Sequence, residues 1–146
     1  MMPLAASVRG GTLPRRFSLK RRSLVKALFD RSNPEVLSCA NGGVRILARV
    51  LPVDETPPGQ QVQVGFTAGR RSGAVERNRI KRLLREAFRV RKHYLTDRLP
   101  DGVGLLTLMV IYRGATPPQA EKLSSDLDRA LKKLTRIILE KHASSD

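Results

Sequence analysis

The chain has 146 residues, enough for one compact domain of mixed secondary structure and too few for two domains that each bury a sizeable core. Its 28 Lys and Arg against 13 Asp and Glu leave a net charge of +15, far more than solubility needs, which points to a polyanionic partner and most simply a nucleic acid. No apolar run approaches the roughly 20 residues of a spanning helix, which argues against a membrane protein, and the single cysteine, Cys39, excludes an internal disulfide and a multi-cysteine zinc site.

Residues 1–16 are rich in Gly, Ala, Pro and Arg without apolar periodicity and are expected to form a disordered basic arm. Seven basic residues precede the first acid, Asp30, a pattern that also fits an organelle transit segment. A cytoplasmic, reducing compartment is the expectation from the lone cysteine and the lack of a secretory apolar region. Leu24, Val25, Leu28 and Phe29 share one face of a short first helix, stopped by Asn33-Pro34. After the turn signal Asn41-Gly42-Gly43, Val44, Ile46, Ala48 and Val50 alternate with Arg45 and Arg49, the period of a half-buried strand with a basic outer face. A loop with Pro57-Pro58-Gly59 leads to a second alternating run, Val62, Val64, Phe66 and Ala68, and the two strands are expected to be antiparallel neighbours.

The strongest helical pattern follows, with Ile80, Leu83, Leu84, Ala87 and Phe88 at i, i+3, i+4, i+7 and i+8. Leu105 to Tyr112 is almost continuously apolar and should be a central strand. Thr116 as N-cap and Pro117 at the first helical position should open a last helix, whose stripe runs from Leu123 through Leu127, Leu131 and Leu134 to Ile138. The expected architecture is a small single-domain α+β sandwich over residues 17–141, with helices packed on a mixed sheet in αββαβα-like order and a disordered tail over 142–146.

With its apolar stripe turned inward, the third-quarter helix sends Asn78, Lys81, Arg82, Arg85 and Arg89 outward. Between Phe66 and His93 there are ten Lys or Arg and two Glu. Like charges at i and i+4, such as Lys81, Arg85 and Arg89, repel by roughly 0.2 to 0.5 kcal/mol per pair in an isolated helix, a cost that RNA phosphates remove. A merely solvated face would mix Glu with Lys, and only Glu76 and Glu86 are present. Arg77 lies on the extension of the apolar stripe and should point toward the sheet edge. With Asn78 it could line a groove between helix and sheet, completed by Val25, Phe29 and Thr67, while Arg79, Arg82 and Arg85 face another partner.

A protein nuclease would need clustered carboxylates for metal ions or a His-centred acid and base pair. Asp126 and Asp128 form the one D-x-D, but on a helix they point to different faces and are expected to be solvated. His93 and His142 are lone histidines without metal-ligand partners. A ribosomal or general RNA-chaperone role, with the same charge and no such groove, is the alternative function.

Val64-Gly65-Phe66-Thr67-Ala68-Gly69-Arg70-Arg71, then Gly73-Ala74-Val75-Glu76 and the run from Arg77 to Arg89 (RNRIKRLLREAFR), resemble the signature of the bacterial ribonuclease P protein subunit. The likeness covers roughly Leu19 to Lys141. It implies an α+β fold with a left-handed βαβ crossover, binding of the large catalytic RNA, and a cleft for the single-stranded 5′ leader of precursor tRNA. It further implies a hydrolysis that belongs to the RNA and requires Mg2+, with no cofactor held by the protein alone. Carried across by position, Arg77, Asn78, Arg79, Lys81, Arg82 and Arg85 match the signature, Arg70 and Arg71 its preceding basic pair, and Phe29 and Thr67 the cleft. Two departures stand out. Val25 replaces a usual aromatic, so that leader contact should be weaker or absent, and the loop before the helix is about one residue shorter than the family's.

Overall fold

The computed structural model describes residues 13–56, 61–69, 73–99, 103–114 and 118–144. Its strands are β1 (Leu37–Asn41), β2 (Val44–Val50), β3 (Val62–Thr67) and β4 (Leu106–Tyr112), and its helices α1 (Arg22–Leu28), α2 (Ala74–Arg89), α3 (His93–Thr96) and α4 (Ala120–Ser144). Short 3-10 turns lie at Arg15–Phe17 and Val53–Glu55.

β4 carries no charge on either face, so it can lie where both faces are covered, and it occupies the interior of the sheet order β1-β2-β4-β3. It pairs antiparallel with β2, Ile46 opposite Val110, and parallel with β3, Val64 opposite Leu108. The expected direct pairing of the Val44 and Val62 strands is therefore wrong, because β4 separates them. A parallel β3/β4 pair requires the chain to cross over the sheet between them, and α2 and α3 make that crossover.

Strand β1 was not legible as a strand. It is a short edge strand in which Cys39 alone is fully buried, and it joins β2 through the Gly42-Gly43 turn, with Asn41 opposite Val44. Gly42 has φ +56°, a conformation open to glycine at little cost. The Asp126 carboxylate of α4 accepts the Gly43 N–H at 3.1 Å and the Lys122 ammonium at 2.9 Å, and Asp126 is 4% exposed. The expectation of a solvated Asp126 is thus corrected: α4 lies over the β1–β2 turn and the carboxylate ties the two together. Asp126→Ala is expected to lower stability by about 2 kcal/mol, the usual cost of leaving a buried donor without its partner. The melting midpoint should then fall by roughly 6 °C, and an unchanged midpoint would show that water satisfies the turn equally well.

Alternation divides the sheet into two layers. Ile46, Ala48, Leu108 and Val110 face the main core with Ile80, Leu84 and Phe88 of α2 and Leu127, Leu131 and Leu134 of α4. Leu47, Met109 and Ile111 face the other side, where α1 covers them with Leu24, Val25 and Leu28. Helices therefore stand on both faces of the sheet. Cys39 lies beneath α4, its Sγ 3.4 Å from the Ala130 carbonyl, and burial pushes its thiol pKa up against the opposing pull of Lys133.

Both expected boundaries of the domain move. Leu13 packs against the main core and Phe17 is buried, so ordered packing reaches back beyond residue 17. At the other end α4 continues to Ser144, past the expected tail boundary at 142. Thr116 and Pro117 lie outside the described residues, and α4 starts at Ala120.

Asp128 is not solvated either. It accepts the Tyr94 hydroxyl at 2.6 Å and pairs with Arg91 and Lys132, each at 3.1 Å, fastening α3 to α4. Burial alone pushes its carboxyl up, and the hydrogen bonds from Tyr94, Lys132 and Arg91 outweigh that and hold its pKa below the usual value. A depressed folded-state pKa gives stability that is present above the unfolded value, near 4, and is lost as pH falls through the folded value. Asp128→Asn should therefore narrow the loss of urea midpoint between pH 7 and pH 3 relative to the parent chain. An identical loss in both would remove Asp128 from the acid transition.

Candidate RNA interface

α2 begins at Ala74 after its N-cap Gly73, whose φ of +92° is a conformation that favours glycine. Ile80, Leu84 and Phe88 are fully buried, so helical spacing fixes where the polar side chains go. Asn78, Arg79, Arg82 and Arg85 are exposed, and Arg77 and Lys81 are half-buried. Arg82 has no ion-pair partner among the described residues. Arg70 and Arg71 lie outside the described residues.

One expectation for this helix changes, and two of its exposed arginines have contacts of their own. Arg89 is not part of the outer face: it is 9% exposed and pairs with Glu86, its Nε 3.1 Å from Oε2. The chain turns directly after it into α3, with the Arg91 N–H on the Phe88 carbonyl and the Lys92 ammonium on the Arg89 carbonyl. Its guanidinium pKa is raised and the Glu86 carboxyl lowered, in each case chiefly by their mutual hydrogen bond. Arg79 turns aside toward the start of α4, its guanidinium 3.5 Å from the Pro118 carbonyl. Arg85 packs its guanidinium over Phe66, 5.7 Å from the ring centroid. The face directed to solvent without a fixed partner is thus centred on Asn78 and Arg82.

The opposite side of the sheet carries a groove of about 630 Å3 below the end of α1. Leu28, Phe29, Val36, Leu47 and Ile111 make its apolar floor and Arg31, Arg45 and Arg113 its basic margin, while the Asp30 carboxylate, which accepts the Ser32 N–H at 3.0 Å, lines it too. Phe29, at the C-cap of α1, is 50% exposed although it is a large aromatic, so its ring is available to a ligand. Thr67 pairs with Ile111 in the sheet and so stands beside this groove, its Oγ1 accepting the Gly69 N–H at 3.2 Å. Val25 is half-buried and packs with the cluster beneath it. Arg77 and Asn78 are not among the groove's lining residues, since α2 packs on the other face of the sheet. Sequence reasoning missed Arg45 and Arg113. The odd-numbered alternation of β2 was the signal for Arg45, while Arg113 follows a strand whose apolar run hides its facing.

A family model described as Ribonuclease P matches residues 13–135. The chain belongs to the ribonuclease P protein family. Curated relatives include the ribonuclease P protein component of Chlorobaculum tepidum, 32% identical over 136 residues that span 86% of this chain and 84% of that protein. The component from Desulfovibrio desulfuricans is 29% identical over 124 residues, 81% of this chain and 91% of its own length. Among solved structures, the Staphylococcus aureus ribonuclease P protein superposes with a TM-score of 0.59 at 20% identity, over 81% of this chain and 94% of that one, and shows the fold. The resemblance carried by the stretch from Val64 to Arg89 is therefore borne out. Family membership makes the chain a component of a tRNA-processing ribonuclease that partners with ribonuclease P RNA. Among the described residues no helix is long and apolar enough to cross a membrane, and no three His, Cys, Asp or Glu are grouped as metal ligands would be.

Proposed function

We propose that this protein is the RNA-binding, non-catalytic subunit of ribonuclease P, with the chemistry carried by the RNA and its Mg2+ ions. The outer face of α2, centred on Asn78 and Arg82, holds the catalytic RNA through phosphates. The groove beneath Phe29 holds the single-stranded 5′ leader of precursor tRNA, bases packing on Phe29, Leu47 and Ile111 while phosphates meet Arg45 and Arg113. The observation that carries this reading is the half-exposed Phe29 over an apolar floor with an arginine margin, an arrangement suited to unpaired bases and unsuited to a duplex. The paired carboxylates of the D-x-D are engaged elsewhere, Asp126 with the β1–β2 turn and Asp128 with α3. Acting in the cytoplasm fits a tRNA-processing role. The test is reconstitution: the purified chain should restore 5′ processing of precursor tRNA by a bacterial-type ribonuclease P RNA at low magnesium. Restoration no better than that given by an unrelated basic RNA-binding protein would defeat the proposal.

A further inference from the structure

Residues 13–20 run along the outer edge of β3, where Ser18 bridges to Val64 and the Leu19 N–H donates to the Val64 carbonyl at 3.0 Å. Between this segment, β3 and α2 lies a recess of about 340 Å3, distinct from the groove beneath Phe29. Arg15, Lys20 and Arg85 line it, and no carboxylate does. None of the three cations has an ion-pair partner among the described residues. Gly65 forms part of the wall, and a Cβ there would meet the Met109 Cε at 2.8 Å, so Met109 already fills the space beside it. Three cations around one recess repel one another until an anion enters, and guanidinium and ammonium donors on its walls suit the oxygens of a phosphodiester.

How Arg85 is held strengthens the case. Phe66, below its guanidinium, stands edge-on to the fully buried Phe88, with centroids 5.9 Å apart and an angle of 67°. A carboxylate would orient Arg85 and neutralise it together, whereas a ring face orients the charge and leaves it available. The contrast is visible on the same helix, where Glu86 neutralises Arg89. Beside the recess the device recurs, with Arg16 at 5.1 Å and Lys92 at 5.9 Å from the Phe17 ring centroid.

We propose that this recess binds one backbone phosphate of RNA through Arg15, Lys20 and Arg85, with Phe66 as the positioning residue for Arg85. The proposal rests on the RNA-binding reading above and extends it to the N-terminal segment and the β3 edge. The phosphate has two possible sources, the catalytic RNA or precursor tRNA, and the chemistry is the same for both.

The doubly substituted R15A/K20A chain separates them. Its affinity for ribonuclease P RNA is measured over a series of salt concentrations, and the affinity of the preassembled enzyme for precursor tRNA is measured in parallel. A drop of about tenfold, with a salt slope lower by about one to two, is expected for one of the two RNAs and identifies the source. No loss on either overturns the recess. Phe66→Leu, which keeps an apolar side chain against Phe88, should weaken the same RNA by about two- to fivefold, with Phe66→Tyr restoring it. Added to Arg85→Ala, Phe66→Leu should cost nothing more. An equal loss in both backgrounds would show that Phe66 acts only on the fold and would overturn its positioning role. A parent chain that does not bind the catalytic RNA defeats the RNA-binding reading itself, whereas a parent that binds and variants that match it defeat the recess alone.

Discussion

Charge reversal at Arg82, R82E, is expected to lower affinity for ribonuclease P RNA by about tenfold near physiological salt and to reduce the salt slope by about one or more. Arg82 carries this weight because its charge is exposed and no described carboxylate neutralises it. The same position is undemanding for the fold. Glu at 82 would lie three residues from both Arg79 and Arg85, which favours the helix, and four from Glu86, which opposes it, each pair contributing roughly 0.2 to 0.5 kcal/mol. Stability should therefore stay within about 0.5 kcal/mol, as for surface substitutions in general. Arg82→Ala should fall between parent and R82E in affinity. A filter-binding titration in which R82E matches the parent in both affinity and slope would remove the outer face of α2 from the RNA contact.

Phe29→Ala should act on a different ligand. Removing an aromatic platform for a base costs on the order of 1–3 kcal/mol, so the assembled enzyme is expected to lose about fivefold or more in affinity for precursor tRNA. Mature tRNA has no leader, and its affinity should be unchanged. Because half of the Phe29 surface is already in solvent, truncation removes little core packing and the melting midpoint should move only slightly. Equal losses on precursor and mature tRNA would mean that Phe29 supports the fold or the body of the tRNA and would take the leader out of the groove.

What could be read from the residues depended on whether one element determined the answer. The core face of α2 follows from the spacing of Ile80, Leu84, Ala87 and Phe88, and the interior place of β4 from the absence of charge between Leu105 and Tyr112. Both are properties of a single stretch. The neighbours of a strand are not, which is why β2 and β3 were paired when β4 in fact lies between them. β1 escaped because its residues, Leu37-Ser38-Cys39-Ala40-Asn41, alternate too weakly to announce a strand, and partners on β2 define it. Arg89, Asp126 and Asp128 were placed in solvent because helical spacing gives a direction from the axis and says nothing of what lies there. α3 and α4 supply Tyr94 and Lys132 for Asp128, and the β1–β2 turn supplies the Gly43 N–H for Asp126. The site divides in the same way. The basic face of α2 was visible from its residues, but the separation of Arg77 and Asn78 from the groove beneath Phe29 depends on which face of the sheet each helix covers.

The lone thiol under α4 has a practical use. Cys39 is 8% exposed and touches the Ala130 carbonyl, so a thiol reagent can reach it only when α4 lifts from the edge of the sheet. Its labelling rate therefore clocks a local opening that leaves the central strands paired. Because no second cysteine competes, that clock can be followed with and without RNA in the intact sequence, reporting whether RNA bound on the α2 side also tightens the helix that closes the other edge of the core.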